Sequence, residues 1–244
     1  IFLNYQLKFL PIKTNWKYII LFILIVWSIS YPIQAGYFNA LFEFATAGTY
    51  IEEMSYIMAG VSTLIGAFIV LSIHKSSSNR ITVFGDDKIK NFLILCLPIV
   101  AFSIVGIENE IGINKSMYGL RLAIINSLYA FSEEFGWRKY LQNALEGLNK
   151  NFKYLLIAFT WWIWHFRFTT SFDLFVFPFI CIGGGYLLGK LTDDFKSILP
   201  AVAMHNIIIL TTNTGKFDVN QILGISLFLI GWTLIEYVWK RNTI

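Results

Sequence analysis

Eight apolar stretches, set apart by short polar ones, leave this chain few ways to fold. They cover residues 16–33, 56–73, 91–107, 120–140, 152–168, 174–188, 198–212 and 219–239. A helix needs about 20 apolar residues to cross a bilayer, and fewer suffice inside a bundle. The pattern therefore predicts an all-α polytopic membrane protein, a bundle of about eight transmembrane helices. Composition supports this: 56% of residues are hydrophobic and 14% charged, too apolar for an ordinary soluble domain. One integral membrane domain over residues 1–244 is expected, with no repeat and no separate soluble unit. No small-residue cleavage site clearly follows the first apolar run, so a cleavable signal peptide is not expected.

Orientation follows from where the cations fall. With the N-terminus inside, only Lys115, Arg121, Arg167 and Lys216 of the 19 Lys and Arg residues lie in outer segments. The other fifteen are cytoplasmic, as the positive-inside rule requires, so both termini are predicted to be cytoplasmic. The net charge of +4 is then topology, and no nucleic-acid partner is implied. The outer loop 34–55 carries Glu43, Glu52 and Glu53 beside Phe38, Leu41, Phe42 and Phe44 and is expected to lie along the outer surface. The inner loop 74–90 reads as the most irregular part, with His74 an ordinary interfacial histidine. Gly185 and Gly189 have the spacing of close helix packing. Cys96 and Cys181 sit in apolar runs and read as small buried residues.

One span breaks the apolar rule. The fourth ends in Glu133, Glu134 and Arg138. A charge at the bilayer centre costs roughly 2.5–3.5 kcal/mol on insertion scales, so the group should face protein or water. Glu134 and Arg138, four apart, share a helix face and can pair. Glu133 lies about 100° away beside Trp137, without a local partner. A paired and an unpaired carboxylate suit a positioned general base. Two of the three histidines, His165 and His205, also fall within predicted spans. Together these groups can move protons or hold a metal. The tryptophans 161, 162 and 164 look like an interfacial belt at the outer edge. No His-Glu-x-x-His, no Gly-x-Ser-x-Gly elbow and no phosphate-binding glycine loop is present. A glutamate-centred hydrolase, a metal or ion site, and a binding protein with a polar core stay open.

Glu133-Glu134-x-x-x-Arg138, an aromatic residue at Trp161 four before His165, and His205 on a later span together resemble the CPBP family. This family comprises CAAX prenyl endopeptidases and the bacteriocin-processing or immunity proteins also called Abi proteins. The resemblance covers approximately residues 120–210 and implies an intramembrane endopeptidase acting on a lipidated or hydrophobic peptide in a bacterial plasma membrane. It implies Glu133 as general base on a water, helped by His165. His205 would hold the oxyanion, with Asn206 and Trp161 at the substrate, and Glu134 and Arg138 would orient the site. A divalent metal such as zinc on Glu133, His165 and His205 is the variant the family label also implies. Trp161 replaces the family's usual Phe. Ile209 stands where the family has Asn or another polar residue, which supports a second expectation, a non-catalytic scaffold or bacteriocin self-immunity protein. Abundant Ile, Asn, Lys and Phe suggest an AT-rich bacterium, favouring a secreted-peptide precursor over a prenylated protein as substrate. A transporter is a third and weaker reading.

Overall fold

The computed structural model describes residues 14–47, 54–74, 78–212 and 218–242. Each of the eight apolar stretches supplies one long helix, and two short helices join them. The order is α1 (Trp16–Gln34), α2 (Asn39–Thr46), α3 (Met54–Ile73), α4 (Lys88–Val105), α5 (Lys115–Glu134), α6 (Lys150–Trp164), α7 (Ser171–Phe175), α8 (Phe177–Phe195), α9 (Leu199–Thr212) and α10 (Val219–Asn242). Among the described residues there is no strand, only one isolated bridge between Thr82 and Ser197. Four helices, α1, α3, α4 and α10, are long and apolar enough to cross a membrane. Of the others, α9 is apolar but has 14 residues and α6 has 15. α5 carries Lys115, Arg121, Glu133 and Glu134, and α8 carries Lys190, Asp193 and Asp194.

The bundle is arranged around α5, which packs against α3, α4 and α9. Its start is set by Asn114, whose side chain accepts from the backbone N–H groups of Ser116 and Met117. Its end is not a stop. The chain runs on as a π-helix over Phe135–Gln142, packed against α3, α6 and α8. At the junction the Thr63 hydroxyl donates to the Ser132 carbonyl at 2.7 Å, meeting an acceptor in a region where the ladder changes register. Gly136 makes that approach possible: a Cβ there would stand 2.7 Å from Thr63 Cβ and 2.8 Å from its carbonyl oxygen.

The glycine spacing in α8 does what it predicted. A Cβ on Gly185 would meet Ala158 Cβ at 2.6 Å, and one on Gly189 would meet the Tyr154 ring at 2.7 Å, so α6 and α8 pack closely through them. Pro200 falls in the first turn of α9, where its missing N–H costs little. Two expectations need correction. α6 stops at Trp164 rather than running to 168, because Phe166 turns to the left-handed region at φ 50°. The sixth stretch splits at Val176, with Pro178 in the first turn of α8. The inner loop is irregular over 78–87, as expected, and is fastened to the bundle. Asn143 exchanges two hydrogen bonds with the Ile81 backbone, Thr82 bridges the backbone at Lys196 and Ile198, and Asn91 holds the Phe84 carbonyl. His74 stacks on Tyr18, as befits a packing residue. In the outer loop, α2 leaves Leu41 and Phe44 exposed; the reading of Glu52 and Glu53 lies outside the described residues.

Candidate active site

The last turn of α5 faces the interior of the bundle, where α6 and α9 meet it. Glu133, Glu134 and Arg138 are 0–1% exposed and His205 is 4% exposed. Arg138 Nε donates to Glu134 Oε2 at 3.0 Å, the pairing that the four-residue spacing predicts. The other oxygen of Glu134 is 2.9 Å from His205 Nδ1 on α9. One carboxylate thus ties the guanidinium to the imidazole. Assigned from this network, the Nδ1 proton sits between His205 and Glu134, leaving Nε2 as the free position of the ring.

Glu133 is held differently. Its Oε2 accepts from Trp161 Nε1 at 2.7 Å, and its Oε1 is buried with no hydrogen-bond partner in the protein. Its hydrogen-bond donor is long-range, twenty-eight residues on in the chain, while the Tyr129 hydroxyl lies beside the carboxylate from one helical turn earlier. Trp137 takes no part in this; it packs edge-on against Phe22 and Trp164. The belt reading of the tryptophans fails for the same reason. Trp161 and Trp164 are buried, drawn inward because the indole of Trp161 is the donor to Glu133.

His165 is not inside a helix but caps the end of α6. Its Nδ1 is 2.8 Å from the Trp161 carbonyl, and its ring contacts Trp161, Trp164 and Phe177. It therefore reaches Glu133 through Trp161. His205 meets the Trp161 ring edge-on, at 5.5 Å between centroids. Asn206 points the other way. Its amide donates to the Ala123 carbonyl at 2.8 Å and to Ser127 Oγ at 2.7 Å, pinning α9 to α5. α9 is continuous through this point, so no unwinding brings Asn206 round to His205. Ile209 is buried in the apolar core.

Tyr129 is a member of this site that the motifs did not indicate, although it lies one helical turn before Glu133. Its ring stacks on Tyr56 at 3.8 Å and meets His205 edge-on at 6.2 Å. Gly60 admits it, since a Cβ there would stand 2.5 Å from the ring.

Among the described residues no three His, Cys, Asp or Glu side chains form a group that could hold a metal ion. Nδ1 of each histidine is turned to a carboxylate or a carbonyl, which leaves Nε2 of each ring as its open position. Glu133, His165 and His205 are not gathered into a three-ligand group as placed here.

Among the described residues the protein is all-helical, with four helices long and apolar enough to cross a membrane and a buried glutamate–histidine–arginine centre. Residues 115–211 match the model of the type II CAAX prenyl endopeptidase Rce1-like family. That segment holds Glu133, Glu134, Arg138, Trp161, His165, His205 and Asn206, so the match is a similarity over the part of the chain that carries the site. No curated protein matches the chain.

Proposed function

We propose that the protein is an intramembrane endopeptidase that hydrolyses a peptide bond in a lipidated or hydrophobic peptide, using a water activated by Glu133. The observation that carries this is the asymmetry of the Glu133 carboxylate. One oxygen accepts from the Trp161 indole, and the other makes no hydrogen bond of normal geometry although the Tyr129 hydroxyl lies beside the carboxylate, so the group is oriented with Oε1 open to a water. Oε1 takes a proton from the water as its oxygen bonds to the scissile carbonyl carbon. The oxyanion that forms is held by His205 Nε2–H, with the imidazolium balanced by Glu134 through Nδ1. A donor aimed at that oxygen supplies typically about 3–4 kcal/mol. The proton then passes from Glu133 to the departing amine as the C–N bond breaks. Arg138 keeps Glu134 in place, and His165 acts on Glu133 by fixing Trp161. Asn206 positions α9.

The same reading takes the eight long helices as eight spans with both termini cytoplasmic, in a bacterial plasma membrane, with the bilayer and the peptide as partners. Reporter fusions near Ser78 and after Trp239 should both read cytoplasmic; an external signal at either overturns the count. For the activity, the purified full chain in proteoliposomes is offered prenylated and acylated peptides, with products read by mass spectrometry. Cleavage is expected, and Glu133→Ala should abolish it.

A second reading has one observation in its favour. Ile209 is apolar and buried where the family carries a polar group, and Asn206 is turned away from His205. A non-catalytic scaffold or self-immunity protein built on the same fold predicts that Glu133→Ala and His205→Ala keep the cellular phenotype while the protein still inserts.

A further inference from the structure

The molecule has a second cluster of buried charge, where α6, α8, the end of the π-helix and the 78–87 segment meet. Asp193 stands at its middle with its side chain 3% exposed. Its Oδ1 accepts from Gln142 Nε2 at 2.8 Å and from Arg80 Nη2. Its Oδ2 accepts from the Tyr154 hydroxyl, with the Lys153 and Lys150 ammonium groups each 3.8 Å away. Arg80 and Lys153 are shared with Glu146, 3.0 Å from each. Burying a carboxylate among so many partners is expensive, and hydrophobic packing often serves stability as well. Close packing of α6 on α8 is already supplied by Gly185 and Gly189.

What the cluster adds is a grip on the catalytic segment. Gln142 is the last residue of the π-helix and lies four residues beyond Arg138. Its amide nitrogen donates both to Asp193 and to the Gly189 carbonyl at 3.0 Å. The opposite end of the same stretch is held by Thr63 at Ser132. Next to Gln142, Asn143 carries the two bonds to Ile81, so the 78–87 segment is fastened to the same point, and its Arg80 closes on Asp193. The π-helix therefore hangs between two fixed ends, and Arg138, Glu134 and His205 take their places from it.

We propose that Asp193 is a positioning residue for the hydrolysis. Through Gln142 it sets the register of the π-helix, hence the placement of Arg138 and, through Glu134, of His205. The proposal rests on the endopeptidase reading above. Its test uses the full chain in detergent and the variants Asp193→Ala, Asp193→Asn, Gln142→Ala and the double change Asp193→Ala with Gln142→Ala. Three quantities are followed: hydrogen exchange of peptides covering residues 135–142 and 219–242, thermal midpoint, and kcat and KM on the cleaved lipopeptide.

Asp193→Ala should speed exchange over 135–142 and leave 219–242 unchanged. kcat should fall roughly 10- to 100-fold, because misplacing reacting groups by about 1 Å costs up to ~100-fold. KM should stay within about twofold, since ground-state binding is untouched. Gln142→Ala should do the same, and the double variant should be no worse than either single one, as expected of two members of one connection. Asp193→Asn keeps an acceptor for Gln142 and should retain kcat within about fivefold, on the same reasoning of retained placement. Unchanged exchange over 135–142, faster exchange everywhere, or single losses that multiply in the double variant each overturn the proposal. A wild-type protein that cleaves nothing sinks the endopeptidase reading and this catalytic role with it; the exchange pattern then decides separately whether Asp193 holds the π-helix.

Discussion

Arg138 and Glu133 sit in one helical segment, both buried, and the structure assigns them opposite relations to stability. Removing Arg138 strands Glu134, which is 1% exposed and loses the guanidinium at 3.0 Å. Two unit charges about 4 Å apart attract by about 4 kcal/mol at an effective dielectric of about 20. Breaking one side of a buried pair costs typically about 3–5 kcal/mol. Two features favour the low end. Glu134 keeps His205 at 2.9 Å, and Arg138 Nη1 is already buried without a partner in the wild type. A loss of about 3 kcal/mol corresponds to about 6–12 °C in a chain of this size. Glu133→Gln should behave otherwise. The Gln carbonyl still accepts from Trp161, and a neutral amide replaces a charged oxygen that has no partner. Its midpoint should move by less than about 3 °C, under 1 kcal/mol. Glu134→Gln with Arg138→Met removes the charges together, leaves an acceptor for His205 and should recover part of the loss. Thermal unfolding in detergent, followed by tryptophan fluorescence, measures all three. If Glu133→Gln melts as early as Arg138→Ala, the proposed division of roles is wrong.

Other expectations follow from the same geometry. Trp161→Phe keeps the family's aromatic wall but removes the donor to Glu133; a hydrogen bond to a charged group is worth about 1.5–3 kcal/mol, so both melting temperature and cleavage should fall. Glu133→Gln introduced into that variant should restore the melting temperature alone, and an unchanged midpoint would speak against the indole's role. Asn206→Ala loses two bonds to α5 and should cost about 1–3 kcal/mol of stability while sparing kcat in the folded fraction; a selective loss of kcat at constant midpoint would give Asn206 an oxyanion role instead. At the start of α7, the Thr170 hydroxyl, working against burial and joined by the Thr170 backbone and the Arg167 charge, holds the Asp173 carboxyl below its usual range. A depressed carboxylate stabilises above its ordinary value of about 4 and loses that contribution as pH falls below it. Protection of the 170–176 backbone, its exchange relative to the intrinsic rate at each pH, should therefore fall as pH drops below about 4 and should stay constant in Asp173→Asn.

The helices were legible because apolar length is a coarse signal that burial cannot hide: all eight stretches hold a long helix. Their ends were less so. α6 ends at a left-handed Phe166, and α5 widens into a π-helix, features that depend on Thr63 and Gly136 meeting across the bundle rather than on local propensity. Within the site, Glu134 with Arg138 could be read from spacing alone. The Trp161–Glu133 and His205–Glu134 bonds could not, since their partners lie 28 and 71 residues apart. The family motif placed Glu133, His165 and His205 in one site, while the tryptophans misled because buried and interfacial indoles look alike in a sequence. Tyr129 carried a usable signal, its position one turn before Glu133. Asp193 carried none, because the end of an apolar run is an ordinary place for a solvated carboxylate.

The proposed role of Glu133 in activating the water is tested most directly by one comparison. Wild type and Glu133→Gln, matched in thermal midpoint and tryptophan fluorescence, are compared for kcat on one cleaved lipopeptide in the same proteoliposomes. The folded Glu133→Gln protein should bind the peptide with unchanged affinity and lose turnover by at least about 100-fold, the lower reach of general base catalysis. Turnover within about threefold of wild type, too small a loss for a missing base, would contradict that role.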